Sequence, residues 1–128
     1  RVGHVVSKIR DVVQSALGFN RTASGLESAI ESLESASILA ESIHVDQSSL
    51  IANTNLVEIA RAQASARLTL ATAQAALARN ESRGCHHRND FTVSSEDHLT
   101  HYIVDQMGDV NTLALRKSKT GNWILPPQ

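Results

Sequence analysis

The chain has 128 residues, a formal net charge of −1 and only 3% aromatic residues, which suits one domain with a thin core of aliphatic side chains and alanine. The near-neutral charge provides no basic field for nucleic acid or an anionic membrane, and no run reaches the roughly 18 apolar residues of a membrane span. The single cysteine, Cys85, excludes an internal disulfide and indicates a reducing, cytoplasmic setting.

The first predicted element is an amphipathic helix over residues 2–17. Its apolar residues recur at three- and four-residue spacing and therefore share one face. They are Val2, Val5, Val6, Ile9, Val12, Val13 and Ala16. Gly18 follows the last of them, at the place where a left-handed residue commonly ends a helix.

A second helix is predicted from about Ser24 to Ile43. Thr22 or Ser24 can cap its start, and Ser24 with Glu27 fits the S-x-x-E capping box. Its two faces are apolar and acidic, with Leu26, Ile30, Leu33 and Ala40 on one and Glu27, Glu31 and Glu34 on the other. Residues 44–50 have no period and are predicted to form a loop.

A third and longer helix is predicted from about Asn53 to Arg83, a stretch without glycine or proline. Nine of the nineteen residues from Ala60 to Ala78 are alanine, which favours helix and allows neighbours to approach closely. Its apolar stripe is Leu56, Ile59, Ala60, Ala66, Leu70, Ala73 and Leu77. Some 30 residues would span about 45 Å, so we expect part of this helix to lie against another surface.

The remaining sequence alternates between apolar and polar residues. Tyr102 and Val104 precede Gly108-Asp109, and Leu113 and Leu115 follow it, which predicts a hairpin. A second turn at 119–123 then leads to a short edge strand, which Pro126 and Pro127 should end. The predicted fold is mainly α, with an antiparallel three-helix bundle at 1–90 and a C-terminal extension with short β-strands at 91–128.

The stretch "NESRGCHHRND", residues 80–90, carries the chemistry that needs explaining. The simplest interpretation is a helix end. Arg79 and Arg83 in the last turn complement the negative end of the helix dipole, Gly84 follows as the left-handed residue, and Glu81 can pair with the arginines.

A metal or catalytic site fits the same residues less well. The ligand types available are Cys85, His86, His87, Asp90, His98 and His101. Adjacent Cys-His-His cannot easily converge on one tetrahedral ion, and no second ligand pair follows at the usual spacing. A Cys–His nucleophile would need a pocket, and no phosphate-binding glycine motif is present. We therefore predict no metal-binding, catalytic or cofactor-binding residue in this chain.

Residues 77–91 resemble the "ESRG-x-H-x-R-x-D" segment of the flavoproteins related to succinate dehydrogenase, fumarate reductase and L-aspartate oxidase. The matching residues are Glu81, Ser82, Arg83, Gly84, His86, Arg88, Asp90 and Phe91. Residues 7–35 look like the family's first two helices, with the corner between them at Gly18, Arg21, Gly25 and Leu26. The resemblance covers about residues 5–91. Thr92 and His98 depart from the family's proline and tryptophan, which leaves the path of residues 92–101 open.

The resemblance implies that this chain is the C-terminal helical domain of an FAD-dependent enzyme. FAD and the catalytic residues would belong to the FAD-binding and capping domains, which would be this chain's partners. The start at Arg1, without methionine, also indicates a piece of a longer protein. With its long third helix separated from those domains, the isolated chain is expected to self-associate.

The docking motif implied by the resemblance is Glu81, Ser82, Arg83, Gly84, His86, Arg88 and Asp90. The guanidiniums of Arg83 and Arg88 are expected to point off the surface toward the flavin domain. "NLVEIARA", Cys85 after "ESRG" and the short tail look closest to the L-aspartate oxidase branch, whose members make iminoaspartate for NAD biosynthesis. The alternatives are a succinate dehydrogenase or fumarate reductase flavoprotein, and a helical interaction module without an enzymatic parent.

Overall fold

The computed structural model describes residues 2–44 and 53–125. The described elements are α1 (Val2–Ala16), α2 (Ala23–Glu41), α3 (Thr54–Ala78), a 3₁₀ turn (Glu96–His98), β1 (Thr100–Val104), β2 (Val110–Ala114), β3 (Arg116–Lys117) and β4 (Trp123–Leu125). The predicted fold class is confirmed: the protein is mainly α, with a three-helix bundle followed by a small antiparallel hairpin. No helix within the described residues is both long and apolar enough to cross a membrane.

The corner between α1 and α2 differs from the prediction. Gly18 does not have the expected left-handed conformation, which among the described glycines is found at Gly84, Gly108 and Gly121. Instead, the guanidinium of Arg21 donates to the carbonyl oxygens of Leu17 and Gly18, each at 3.2 Å. A cationic side chain thus satisfies carbonyls at the end of α1, so a left-handed residue is not needed there.

The start of α2 is capped by Thr22, one of the two predicted caps. Its hydroxyl accepts a hydrogen bond from the backbone N–H of Gly25 at 3.2 Å. Because the helix begins at Ala23, Ser24 lies inside its first turn and does not act as the cap. The predicted Ser24–Glu27 capping box is therefore wrong, although the position of the helix start is close to the expected one.

The core lies between the three helices and consists of small and aliphatic side chains. Its buried cluster is Val5, Ile9, Leu33, Ala36, Ala40, Ala66 and Ala73. The predicted stripe of α3 is only partly buried, since Leu56 is 38% exposed whereas Ala66 and Ala73 are fully covered. Four of the five buried residues of α3 are alanine, and Ala66 and Ala73 belong to one buried cluster with residues of α2, which favours a close approach of the two helices.

The third helix ends earlier than predicted. Its last residue is Ala78, and Arg79 already has an extended backbone. Gly84 therefore does not end the helix. It is the left-handed residue, with φ of 58°, in a tight turn between Arg83 and His86, whose backbones exchange two hydrogen bonds of 2.8 and 3.0 Å.

The predicted hairpin is present as an antiparallel pair of β1 and β2. Thr100 lies opposite Ala114 and Val104 opposite Val110, with Gly108 left-handed in the turn. The second predicted turn is also present and joins β3 to β4. The predicted loop at 44–50 and the strand end at Pro126 fall largely or wholly outside the described residues.

Candidate functional site

The motif at 80–90 folds back onto the corner between α1 and α2. Arg21 donates its backbone N–H to the carbonyl of His87 at 3.0 Å, and its own carbonyl accepts from Asn89 at 2.8 Å. These two bonds form a short parallel bridge between segments that are remote in the sequence. The family-like corner and the family-like motif are therefore parts of one site.

Arg88 is fully buried at the centre of this site. Its Nε and Nη2 atoms bind the two carboxylate oxygens of Asp90 at 2.7 and 2.8 Å. Its Nη1 atom lies 3.1–3.3 Å from the carbonyl oxygens of Ala76, Leu77 and Arg79. A guanidinium thus takes the place of a glycine cap at the end of α3, which explains why the helix stops before Arg83.

Asp90 connects the same arrangement to α2. Its Oδ2 atom accepts the backbone N–H of Ala23, the first residue of that helix, at 2.9 Å. The hydrogen bonds from Arg88 hold the pKa of Asp90 well below its usual range, against the opposing effect of burial. We call Arg88, Asp90 and the backbone groups that they bind the Arg88 clamp. It joins the end of α3 to the start of α2.

A second ionic cluster surrounds Glu81, whose side chain is also fully buried. Its carboxylate accepts from Nε of Arg83 at 3.1 and 3.2 Å, from the backbone N–H of Ser95 at 2.8 Å, and from Arg79. Burial alone would raise the pKa of Glu81, but these hydrogen bonds outweigh it and hold the pKa at about 2. Glu81 is therefore a buried anion, and the arginines predicted to pair with it are among its hydrogen-bond donors.

Arg79 joins this Glu81 cluster to the hairpin. It donates to the carbonyl oxygens of His98 and Thr100 at 2.8 and 2.6 Å, and its guanidinium lies 4.6 Å from the ring centroid of Tyr102. The Tyr102 hydroxyl is in turn hydrogen-bonded to Nδ1 of His98. The chain from 92 to 101, whose path the sequence left open, thus runs beside the Glu81 cluster before it enters β1.

Ser82 fixes the backbone between the two clusters. Its hydroxyl accepts from the N–H of Arg88 at 2.8 Å and donates to the carbonyl of Phe91 at 2.7 Å. Its own N–H donates to the carbonyl of Val93 at 3.1 Å. The hydroxyl and the backbone N–H of this small residue therefore both serve the fold of the motif.

His86 has both ring nitrogens in hydrogen bonds. Nδ1 lies 2.9 Å from Nη1 of Arg21, which can only donate, so Nδ1 must accept and Nε2 carries the proton. Nε2 then donates to the carbonyl of Arg79 at 3.1 Å. Burial, followed by the nearby arginines, lowers the pKa of His86 despite the bond to that carbonyl. The ring is therefore a neutral connector between the corner and the end of α3.

The docking residues predicted from the sequence are brought together, but not all in the expected orientation. Arg88 is completely buried and cannot point off the surface, so that expectation is wrong. Arg83 keeps 30% of its side chain exposed. Gly84 and Cys85 lie in the exposed turn. Within the described residues, no group of three or more His, Cys, Asp or Glu side chains is arranged to hold a metal ion.

Two residues of the site have contacts that the sequence does not predict. Beyond its predicted pairing with Glu81, Arg79 donates to the carbonyl oxygens of His98 and Thr100, and Arg21 binds the carbonyl oxygens of Leu17 and Gly18 and the ring of His86. Carbonyl oxygens and a ring nitrogen leave no charge pattern in the sequence. The one signal available for Arg21 was its position between two helix ends, where free carbonyls need donors.

Comparison with known proteins decides the family. The family model described as "Fumarate reductase flavoprotein C-term" matches residues 6–128. The chain belongs to this family. The match extends beyond the residues that carried the resemblance and includes the hairpins, so the tail is part of the family's domain as well.

Individual relatives agree with this family. Fumarate reductase flavoprotein subunits of two Mycobacterium tuberculosis strains are 27% identical to this chain over 110 residues, which is 85% of this chain and 19% of each relative. In fold, the chain is similar to a mutant of the E. coli quinol fumarate reductase FrdA, with a TM-score of 0.79 at 21% identity. That alignment covers 100% of this chain and 22% of FrdA, so the chain spans about a fifth of these relatives.

Proposed function

We propose that this chain serves as the C-terminal helical domain of an FAD-dependent oxidoreductase and docks onto the FAD-binding and capping domains of that enzyme. In this proposal the chain contributes no catalytic residue and binds neither FAD nor a metal itself. Its docking surface is the motif from Glu81 to Asp90. Arg83 and the turn at Gly84 form the part that meets the partner.

The observation that carries the docking role is the exposure of large apolar side chains beside a firmly held polar motif. Both phenylalanines of the chain lie there, with Phe19 78% and Phe91 39% exposed. The rings of Phe19 and His87 meet edge to face, with 5.8 Å between their centroids. The guanidinium carbon of Arg88 lies 5.0 Å from the centroid of the Phe91 ring. Val93 is 74% exposed in the same segment. Exposed apolar side chains grouped in this way are typical of interaction surfaces.

For the parent enzyme we favour an L-aspartate oxidase of the cytoplasm, which oxidises L-aspartate to iminoaspartate for NAD biosynthesis. The reasons are the phrase "NLVEIARA" at 55–62 and Cys85 directly after "ESRG". FAD, held by the domains outside this chain, would supply the two-electron acceptor for this oxidation. The catalytic groups for this step belong to the parts of the enzyme outside this chain.

The second candidate is a fumarate reductase or succinate dehydrogenase flavoprotein, and the names of the relatives favour it. The two candidates differ in substrate, so the full-length enzyme can be assayed with each. Hydrogen peroxide formation from L-aspartate supports the oxidase, whereas reduction of fumarate by a reduced dye supports the other candidate. A reading frame without a flavin domain would favour a free-standing interaction module instead.

The docking role is tested with Arg83→Ala in the full-length enzyme. Because Arg83 also pairs with the buried Glu81, the change destabilises the domain itself. Docking predicts a larger fall in Tm in the full-length enzyme than in the 128-residue chain, together with a fall in flavin retention, while activity per bound flavin is reduced only modestly. Arg67→Ala is the matched control, because Arg67 lies on the same domain with its side chain 69% exposed, and exposed ion pairs contribute little. A loss of turnover of about a thousandfold, equal to about 4 kcal/mol, with folding and flavin content intact would mark Arg83 as catalytic and contradict the proposal.

A further inference from the structure

A cleft of about 320 Å³ opens between the end of α3, the corner at Arg21 and strand β1. Its walls combine basic, hydroxyl and apolar side chains. The lining residues are Arg21, Thr72, Ala75, Ala76, Arg79, Arg83, His86, Leu99, Thr100, His101, Tyr102 and Leu115. The volume is at the small end of the range for small-molecule sites.

The charged side chains that line this cleft are basic. Three guanidiniums, those of Arg21, Arg79 and Arg83, line it, and no aspartate or glutamate is among the described lining residues. Glu81 is buried behind Arg79 and Arg83 and offsets part of their charge, and Glu96 adds a weaker attraction at Arg83. The wall therefore carries net positive charge although the chain as a whole is slightly negative.

Arg21 is the least compensated of the three. A guanidinium has five N–H groups, and acceptors for Arg21 are the carbonyl oxygens of Leu17 and Gly18 and the imidazole of His86. The other two N–H groups have no acceptor in the part of the chain that the structure describes, and no carboxylate there pairs with Arg21. Partial burial lowers the pKa of Arg21, so this cation has lost water without gaining an anion.

We propose that this cleft binds a carboxylate group, with Arg21 as its principal partner and Arg83 as a second source of N–H donors. The planar fork of a guanidinium matches the two oxygens of a carboxylate. Arg83 uses Nε and Nη2 for Glu81 and the Ser95 carbonyl, which leaves its Nη1 group available. The apolar faces of Leu99 and Leu115 suit the short carbon stem to which such a carboxylate is attached.

The carboxylate can come from a small anion in solution or from an aspartate or glutamate of a covering segment of the full-length protein. The geometry of the cleft requires the same chemistry from either source. The site does not depend on the docking role proposed above, because a cleft that binds no carboxylate would leave the exposed phenylalanines and their role unchanged.

The probes are acetate and malonate, titrated against chloride at constant ionic strength into the 128-residue chain. Binding is followed by NMR on the arginine Nε–H signals. We expect saturable shifts at Arg21, and Arg21→Met should weaken binding by about tenfold or more, which corresponds to the loss of one charge-assisted bond. Arg67→Met controls for the loss of one positive charge elsewhere on the domain.

Because Arg21 also caps α1, a second variant keeps the test valid if Arg21→Met fails to fold. Thr72 is exposed at the rim of the cleft, so Thr72→Glu should place a carboxylate there, remove the acetate response and raise Tm. Ser65→Glu, on an exposed part of the same helix, should do neither. An acetate response unchanged in Thr72→Glu, or no saturable response in the unmodified chain, would overturn the proposal.

The same titration in the full-length protein distinguishes the two sources. Saturation in both proteins identifies a free carboxylate as the ligand. Saturation in the 128-residue chain alone identifies a side chain of a covering segment, which already occupies the cleft in the full-length protein. Either result supports the carboxylate site, and neither depends on flavin retention, which is the measure of the docking role.

Discussion

Glu81 illustrates how one residue can be both buried and ionised. A carboxylate without water is unstable unless donors replace the water, and Glu81 obtains donors from Arg79, Arg83 and the Ser95 backbone. The charge of this residue therefore holds together the end of α3 and the segment before β1. Replacing Glu81 should therefore lower the free energy of unfolding and should not affect a catalytic step.

Glu81→Gln should lower the free energy of unfolding by about 1.5–3 kcal/mol at neutral pH, the usual contribution of hydrogen bonds to a charged group. The folded-state pKa of Glu81, about 2, lies below the value near 4.3 expected for an unfolded chain. Its contribution is therefore complete above about pH 4.3 and is lost as the pH falls toward 2.

Urea unfolding at a series of pH values should then show a shallower loss of stability below pH 4.3 in Glu81→Gln than in the unmodified chain. The control is Glu34→Gln, since Glu34 is exposed on α2. An identical acid profile for Glu81→Gln and the unmodified chain would show that Glu81 is not held as an anion.

The pairing of Glu81 with arginine could be predicted, because the partners are two residues away on either side. The burial of Arg88 could not. An arginine near a helix end is usually solvated, and only the folded arrangement shows that the carbonyls of α3 and the Asp90 carboxylate surround it. Arg21 was missed for the same physical reason, since a side chain that caps a distant carbonyl needs no complementary charge nearby in the sequence.

Among the helices, α3 has its C-terminal end stabilised by Arg88, a residue outside the helix. Arg88→Met keeps the apolar stem but removes the donors, which leaves Asp90 without its cation and three carbonyl oxygens without their partner. We expect a loss of about 3–5 kcal/mol, as for other broken buried ion pairs. Chemical denaturation of the 128-residue chain measures it.

Asp90→Asn and the double variant complete a mutant cycle for this pair. The two single changes should not add, because each removes the same interaction. Additive losses would mean that Arg88 acts through the carbonyls of α3 alone. Arg67→Met, at an exposed ion pair with Glu41, should cost under about 1 kcal/mol.

The contact between α2 and α3 depends on the small size of alanine. Ala66 is completely buried, so Ala66→Leu should force the helices apart and cost about 1–3 kcal/mol. Ala64→Leu is the matched control, because Ala64 is exposed on the same helix and alanine and leucine have similar helix propensity. Equal Tm values for the two variants would show that the interface is loose.

The existence of the three helices and the hairpin followed from periodicity and from the glycine turns, which are local properties. The end of α3 did not, because alanine, glutamate and arginine continue a helix as readily as they end one. The helix ends at Ala78 because Arg88 and His86 bind the carbonyl oxygens at its end. Gly84 therefore lies in a separate turn and does not terminate the helix. The predicted apolar stripe of α3 is only partly buried for a similar reason, since Leu56 is 38% exposed and alanines occupy most of the buried positions of the helix.

For the molecule as a whole, we expect self-association of the isolated chain. Leu68 is 70% exposed on α3, and Val57 is 48% exposed on the same helix. Sedimentation at rising concentration should detect association below about 1 mM, a Kd that corresponds to roughly −4 kcal/mol. Leu68→Glu should weaken it more than Ser65→Glu, which adds the same charge without removing an apolar side chain. A strict monomer at 1 mM would contradict the prediction.

The Arg88 clamp also has a consequence for the rates of folding and unfolding. Asp90 and Ala23, which it joins, are 67 positions apart in the chain, so their bond can form only after a long loop has closed. Because closing so long a loop costs entropy, we expect this bond to form late, after the transition state for folding. Stopped-flow measurements on Asp90→Ala, which removes this bond, should therefore show faster unfolding and a nearly unchanged folding rate. The lifetime of the folded domain would then be set by how rarely this clamp opens.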